Sequence, residues 1–218
     1  MKFEITFQPN YSRGELLLRT LFGWLYIILP HAFVLIFIGI WSQILTFISF
    51  WAILFTGRYP QSFYEFQVGV HQWSLRLNAR IYNLSDGYPA FGVNATDEFT
   101  QFEIAYPESL GRGTALLKVF FGAFYVGLPH GFCLLFRMFA TQILVFVAWW
   151  IVLFTGEYPD SMFRFNVGTL RWMQRVNLYL GLMTDDYPPF SGKPDEELSG
   201  AAPETLDPPS SDGASGDS

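Results

Sequence analysis

Two apolar runs of 40 residues constrain this chain more than any other feature. They cover residues 16–55 and 115–154, and the first carries a single charge, Arg19. Only 15% of all residues are charged, whereas soluble domains have about 25%. Apolar runs longer than about 18 residues are typical of helices inside a membrane. The sequence therefore predicts an all-α integral membrane protein that contacts the lipid bilayer.

The two apolar runs belong to an internal duplication. A shift of 99 positions (130 − 31) aligns the chain with itself without a gap, and Leu29-Pro30-His31 falls on Leu128-Pro129-His130. We therefore predict a tandem repeat with four parts: membrane repeat one at 1–92, a polar linker at 93–101, membrane repeat two at 102–191, and a tail at 192–218.

The net charge of −6 comes mainly from the tail. Seven of the 19 acidic residues follow residue 192, in a segment rich in Pro, Ser and Gly. Such a composition cannot bury enough apolar surface to fold, which predicts a disordered acidic tail. The rest of the chain is nearly neutral, so nothing in its charge predicts nucleic-acid binding.

Each apolar run is about 60 Å long if helical, twice the thickness of the hydrocarbon core. One arrangement is a single kinked helix, part in-plane and part spanning. The other is a hairpin of segments 18–38 and 41–56, transmembrane or re-entrant, with its turn near residues 39–43 and, in repeat two, near 137–142. The hairpin places 12 of the 13 Lys and Arg residues, all except Arg137, on one side. The positive-inside rule therefore favours the hairpin, with both termini in the cytoplasm.

Polar residues inside the apolar runs are candidate functional positions. Pro30 and Pro129 predict helix kinks, and His31 and His130 follow them directly. A histidine at membrane depth indicates a functional site; alternatively, its ring binds a carbonyl that the kink has freed. Gln43 and Gln142 are the other candidates in these runs. Cys133 is expected to be a buried, inert thiol.

A third helix follows each apolar run. Gly57 and the pair Tyr59-Pro60 end the run, as Tyr158-Pro159 do in repeat two. An apolar stripe at helical spacing then includes Trp73, with Arg76 off the stripe. Trp172 and Arg175 repeat this arrangement. We predict an amphipathic interfacial helix in the headgroup layer, or alternatively a helix packed on the membrane bundle.

The ends of each repeat carry further signals. Residues 2–8 and 100–106 alternate between apolar and polar, which predicts short extended segments that pair with each other or lie as arms. Each repeat closes with a turn that contains Asp86 or Asp185. The recurrence of these acids with Arg76 and Arg175 allows an Arg–Asp ion pair in each repeat, or two separately solvated charges.

These closing motifs carry a resemblance to a known family. Both copies have Leu-Phe-Thr-Gly-x-Tyr-Pro (54–60 and 153–159), a Phe-x-x-Gly-x-x-x-Trp-x-x-Arg helix, and Asp-x-Tyr-Pro-x-Phe. The chain resembles, in two tandem copies, the bacterial membrane proteins catalogued as domain of unknown function 4389. The resemblance implies an inner-membrane location and no known activity. Repeat one departs from the pattern at Ser85, Gly87 and Ala90, so the end loop of repeat two is the better candidate for binding.

Three functions remain compatible with the sequence. The first is a membrane accessory or scaffold protein that contacts partner proteins, lipid or its own copies. The alternative is a small transporter or channel with its pathway near the Pro-His kinks. The third is a lipid-modifying enzyme, which the scattered polar residues support poorly. We favour the first function and expect no catalytic residue, metal or cofactor.

Overall fold

The computed structural model describes residues 1–199, and its two halves repeat the same elements. Repeat one contains β1 (Lys2–Ile5), α1 (Arg13–Gly23), the π-helical segment π1 (Trp24–Ile28), α2 (Leu29–Thr56) and α3 (Gln61–Ile81). Repeat two contains β2 (Thr100–Glu103), α4 (Arg112–Gly122), π2 (Ala123–Gly127), α5 (Leu128–Thr155) and α6 (Asp160–Leu180). The short helix α7 (Asp195–Ser199) follows. The predicted duplication is therefore present in the fold.

Each apolar run forms one unbroken helix of 44 residues, Arg13–Thr56 and Arg112–Thr155. The predicted hairpin turn near residues 39–43 is absent, because Gly39 alone does not outweigh the cooperativity of a long helix. The equivalent turn near 137–142 is absent too. The charged side chain there does not mark a loop, because Arg137 turns toward α6 and donates from Nε to Thr169 Oγ1 at 3.0 Å. The single helix, which was the alternative prediction, is what the structure contains.

In each long helix, a π-helical segment brings the exposed apolar residues before it and after it onto the same side of the helix. The Leu29 N–H donates to the Trp24 carbonyl, five residues earlier, which inserts one residue and rotates the following helix by about 100°. The wider turn precedes Pro30, whose ring would otherwise collide with the carbonyl of residue 26. At 100° per residue, the exposed apolar positions before and after π1 then share one arc of roughly 160°.

The two long helices run antiparallel, and each begins where the other ends. The Tyr11 N–H donates to the Gly156 carbonyl, and the Leu110 N–H donates to the Gly57 carbonyl, both at 2.8 Å. Trp149 Nε1 also donates to Thr20 Oγ1 at 2.8 Å. These contacts place the two long helices side by side in one layer.

Helices α3 and α6 form a second layer on the long helices. The structure does not confirm the predicted interfacial position of α3, because Arg76 and Arg80, which would contact lipid headgroups, are each only 2% exposed. Ser42 Oγ on α2 donates to Gln67 Oε1 on α3 at 2.5 Å, and β2 covers the opposite side, where Gln72 Nε2 donates to the Phe102 carbonyl at 3.1 Å. The alternative prediction, a helix packed on the long helices, describes α3.

The extended segments and loops form a third layer. Strands β1 and β2 pair antiparallel, with Phe3 opposite Phe102, as one of the two predicted alternatives required. The tail predicted to be disordered from residue 192 begins with an ordered stretch, in which Asp195 accepts from the Met1 amino group at 2.7 Å. Residues 200–218 lie outside the described part of the chain.

The candidate site is a Trp-His-Tyr cluster repeated in both halves

The polar residues that the sequence singles out in repeat one meet around His31. Trp73 Nε1 on α3 donates to His31 Nδ1 at 2.8 Å. His31 Nε2 lies 3.1 Å from the Tyr88 hydroxyl, and the Phe91 ring centroid lies 4.8 Å from that of the imidazole. We call Trp73, His31 and Tyr88 the Trp-His-Tyr cluster of repeat one.

Repeat two has the same cluster. Trp172 Nε1 donates to His130 Nδ1 at 2.9 Å, and His130 Nε2 lies 3.2 Å from the Tyr187 hydroxyl. Phe190 stacks on the imidazole with ring centroids 3.8 Å apart, closer than its counterpart in repeat one. The cluster therefore joins a long helix, the following helix and the end loop in both repeats.

Both ring nitrogens of His31 are engaged in the cluster. Since Nδ1 accepts the indole N–H, a neutral ring carries its proton on Nε2 and donates it to Tyr88. The ring partners are thus side chains rather than the carbonyl that a proline kink would free. The long helix also continues through Pro30, so it is not broken at the point that the transporter interpretation proposed. The cluster holds the end loop on the long helix.

The arginine of the Phe-x-x-Gly-x-x-x-Trp-x-x-Arg motif holds the end loop through hydrogen bonds to backbone carbonyls. Arg76 Nε donates to the Ala90 carbonyl at 3.2 Å, and its terminal nitrogens donate to the carbonyls of Ala95 and Gly92. Arg175 donates in the same way to the Ser191 and Lys193 carbonyls, at 2.9 and 2.6 Å. The arginines of the predicted amphipathic helix thus close the repeat instead of facing lipid headgroups.

The predicted pairing of Arg76 with Asp86 is wrong, and the same holds for Arg175 with Asp185. Asp86 accepts from Arg19 at 3.3 Å and from the Ser12 N–H at 2.6 Å. Asp185 accepts from Lys118 and from the Gly111 N–H, both at 2.6 Å. Each acid therefore caps the start of its own long helix and neutralises the basic residue one turn or two inside it. The signal was present in the sequence, because Arg19 and Lys118 occupy equivalent positions in the two runs.

Two glycines allow the end loops to cross the second-layer helices. A Cβ at Gly69 would lie 2.7 Å from the Val93 carbonyl oxygen. A Cβ at Gly168 would lie 3.1 Å from the Gly192 carbonyl oxygen. The glycine of the Phe-x-x-Gly-x-x-x-Trp motif is therefore a point of close backbone contact.

The other predicted positions lie away from the cluster. Tyr59 and Tyr158 are buried where the long helices end, and Pro60 and Pro159 cap the helices that follow. The Tyr158 hydroxyl accepts from Asn166 Nδ2 at 2.9 Å. Gln142 hydrogen-bonds Tyr82, whereas Gln43 is exposed. Cys133 is exposed as well, contrary to the expected buried thiol.

One strong ion pair was missed by the sequence interpretation, which treated residues 93–101 as a polar linker. Arg80 donates to both carboxylate oxygens of Asp97, at 2.8 and 2.6 Å, and both side chains are buried. Burial raises the pKa of Asp97, but the hydrogen bonds from Arg80 and Thr100 outweigh that effect, so its pKa lies below the ordinary value. The linker is thus an anchored part of repeat one.

Within residues 1–199, no group of three or more His, Cys, Asp or Glu side chains is placed to hold a metal ion. The polar groups of both clusters are used to fix loops to helices.

Comparison with known proteins agrees with the architecture. A family described as "Domain of unknown function (DUF4389)" matches residues 15–92 and 117–192. Searches of curated proteins and of solved structures gave no match. The two matched segments contain most of both long helices, both second-layer helices and both Trp-His-Tyr clusters. The chain therefore belongs to the DUF4389 family and carries two tandem copies of its domain.

Proposed function

We propose that this protein is a membrane scaffold whose two long helices lie lengthwise in one leaflet and hold the other two layers at the membrane surface. The observation that carries the proposal is the apolar face of the long helices. Along residues 16–55, all exposed side chains except Thr20 and Gln43 are apolar. Along 115–154 the exposed polar groups are Gln142 and Cys133. We call these two exposed arcs together the apolar face.

Charged residues of the long helices avoid the apolar face. Within the apolar runs 16–55 and 115–154 these are Arg19, Lys118 and Arg137, and each points to an end loop or to α6. Protein–protein interfaces retain polar groups over roughly a third or more of their area. A face with this composition over two helices fits hydrocarbon better than it fits a protein partner.

The size and position of the apolar face support an in-plane orientation. Two 44-residue helices about 66 Å long and 10 Å wide present on the order of 1,300 Å², several times the largest apolar patch of a typical soluble monomer. At 100° per residue, the contacts of His31, Ser42 and Thr46 with α3 lie roughly opposite the exposed arc. The second layer covers the middle of each long helix on its other side.

A helix that crossed the membrane would carry this covered side into hydrocarbon. The second and third layers include Lys2, Glu4 and Glu103 on the exposed side of the sheet, and burying such charges in lipid costs several kcal/mol each, of the order of 2–3 or more. The candidate spans are also mostly uncovered: only 17% of the most apolar window of each is buried, unlike the core helix of a soluble protein. If the long helices lie in the plane of the membrane, the apolar face contacts hydrocarbon and the charged side of the sheet contacts water.

The proposal includes a location and a mode of action. The protein resides in a bacterial inner membrane, with its termini and its polar layers on the cytoplasmic side, where the Lys and Arg residues gather. It performs no catalysis; it presents the loops and sheet to a membrane-protein partner or to a second copy. The Met1 amino group and Asp195 form an ion pair in the third layer, which joins the N-terminus to the segment after repeat two.

Single-cysteine labelling tests the proposal. In a Cys133→Ala background, cysteines replace Asn10 and Arg58, which flank the first long helix, and Ser109 and Glu157, their equivalents in repeat two. An impermeant maleimide is applied to membrane vesicles of each orientation. The in-plane scaffold requires all four positions to label from the same side. Labelling of positions 10 and 58 from opposite sides would show that the helix crosses the membrane and would refute the proposal.

A further inference from the structure

A cavity of about 560 Å³ lies between α1 and α5, beside the end of α3. Its walls are apolar and aromatic, and they include Ile27, Val145 and Trp149. Trp24 and Trp150, both exposed, stand at its outer end. Trp24 lies at the lateral edge of the exposed arc of its helix and Trp150 lies within the arc of the other, so the cavity opens onto the apolar face. A volume of several hundred Å³ with mostly apolar walls is typical of a small-molecule site.

The inner end of the cavity carries one buried polar group that lacks a partner, Arg19 Nε. The Arg19 side chain is only 8% exposed; its terminal nitrogens are bound to Ser85 and Asp86, but its Nε–H has no acceptor. The Asn83 carboxamide also lines the cavity. A buried donor without a partner costs about 1–3 kcal/mol, and a ligand oxygen at this point would remove that cost.

The charge around Arg19 indicates which oxygen fits. The guanidinium is already paired with Asp86, and Glu15 lies on the same helix and accepts from the Gly87 N–H. A further carboxylate or phosphate would therefore meet two acids. A neutral acceptor such as an ester carbonyl meets no such repulsion.

The equivalent region of repeat two is built differently. Asn83 is replaced there by Leu182, which is buried, and Ile81 by Leu180, whose Cδ2 would lie 3.0 Å from a Cβ at Gly122. Lys118 replaces Arg19 and lies over the Tyr179 ring at 4.2 Å. Repeat two thus supplies natural substitutions that remove the Nε donor and introduce leucines at the inner end.

We infer that the cavity takes one acyl chain of a membrane glycerolipid, with the ester carbonyl of that chain accepting from Arg19 Nε and Asn83. From this carbonyl the chain extends between Trp24 and Trp150 toward the hydrocarbon. This inference rests on the in-plane orientation proposed above, in which the cavity mouth faces lipid tails.

Photo-crosslinking from within the bilayer tests the inference. The full chain is reconstituted in vesicles of phosphatidylethanolamine and phosphatidylglycerol that contain a phosphatidylcholine with a diazirine on one acyl chain, and adducts are mapped by mass spectrometry. Adducts are expected at Ile27 and Val145 inside the cavity and at Phe37 and Phe136 on the apolar face. Adducts at the apolar face alone would overturn the inference and leave the scaffold proposal standing, whereas their absence from both would count against the scaffold itself.

Variants copied from repeat two sharpen the test. Arg19→Lys keeps the ion pair with Asp86 but removes the Nε donor, and Asn83→Leu introduces the residue found at the equivalent position. We expect Arg19→Lys to lower adducts at Ile27 about tenfold, as losing one charge-assisted hydrogen bond predicts, with adducts at Phe37 unchanged. Unchanged adducts at Ile27 in folded Arg19→Lys would overturn the role of Arg19.

A free fatty acid bearing the same diazirine separates the two sources of an acyl chain. Stronger labelling of Ile27 by the free acid than by the phospholipid would overturn the ester assignment.

Discussion

Replacing Gly69 by alanine should destabilise the protein, although alanine favours helix. The Gly69 Cα lies beneath the end loop, and an added Cβ would be 2.7 Å from the Val93 carbonyl oxygen and 3.0 Å from Val93 Cβ. These contacts are to the backbone and to the root of a side chain, so rotation of a flexible group cannot relieve them. The loop that Arg76 holds by three carbonyls must move.

The magnitude follows from two opposing effects. In a helix interior, Gly→Ala gains up to about 1 kcal/mol from helix propensity. Overpacking a close contact costs about 1–3 kcal/mol, and displacing the loop weakens hydrogen bonds to Arg76 that are worth about 1 kcal/mol or more each. We expect a net loss of about 1–2 kcal/mol in the free energy of unfolding for Gly69→Ala.

Gly39 is the matched control, since a Cβ there would meet no atom within 4 Å. Gly39→Ala should be neutral or stabilising by up to about 1 kcal/mol. Unfolding by urea in detergent micelles, followed by near-ultraviolet circular dichroism, measures both variants. Limited proteolysis should cut the loop at 83–95 faster in Gly69→Ala. If Gly69→Ala were as stable as Gly39→Ala, the close approach of loop and helix would be refuted.

Two further predictions concern groups outside the long helices. Burial lowers the pKa of His71 to about 4, and a hydrogen bond with Gln174 opposes this effect more weakly. As the pH falls, the unfolded chain therefore binds the proton before the folded chain does. The free energy of unfolding should decrease by about 3 kcal/mol between about pH 7 and pH 4. The double variant His71→Leu, Gln174→Leu should lose this part of the pH dependence in urea unfolding, and an unchanged pH profile would contradict the burial of His71. Asp97→Asn should cost about 3–5 kcal/mol, because it leaves the buried Arg80 guanidinium without its counter-charge; replacing both partners by leucine should cost less, and equal losses in thermal unfolding would contradict that reason.

The duplication and the helical class could be predicted from the sequence because they depend on local patterns. A gapless shift identifies repeats, and long apolar runs form helices whatever surrounds them. The sequence also singled out Trp73, His31 and the end-loop motif, since these residues recur at fixed spacing. Their meeting in one cluster became visible only in the fold.

The direction of the apolar runs could not be predicted by the same means. Hydropathy and charge counts do not distinguish a helix that crosses a membrane from one that lies along it. The inward turn of Arg137 depends on Thr169, 32 residues later, and the pairing of Arg80 depends on Asp97 in the linker. The π segment also escapes sequence reasoning, because the residue inserted at Trp24–Ile28 is recognised only once the exposed face is known.

The central claim is that the long helices lie along the membrane, and membrane depth measured along one helix tests it most directly. Cysteines replace Leu21, Phe37 and Phe55, all exposed on the apolar face, in a Cys133→Ala background. Each carries a nitroxide spin label, and its collisions with oxygen and with a water-soluble nickel complex report its depth. Gln101, on the sheet, serves as the aqueous reference.

The in-plane orientation predicts that all three labels lie at a similar depth, about 5–10 Å below the headgroups. A crossing helix predicts a graded profile instead. With Phe37 at the bilayer centre, Leu21 and Phe55 would lie about 24–27 Å to either side along the helix, at or beyond the membrane surface. Such a graded profile would contradict the account.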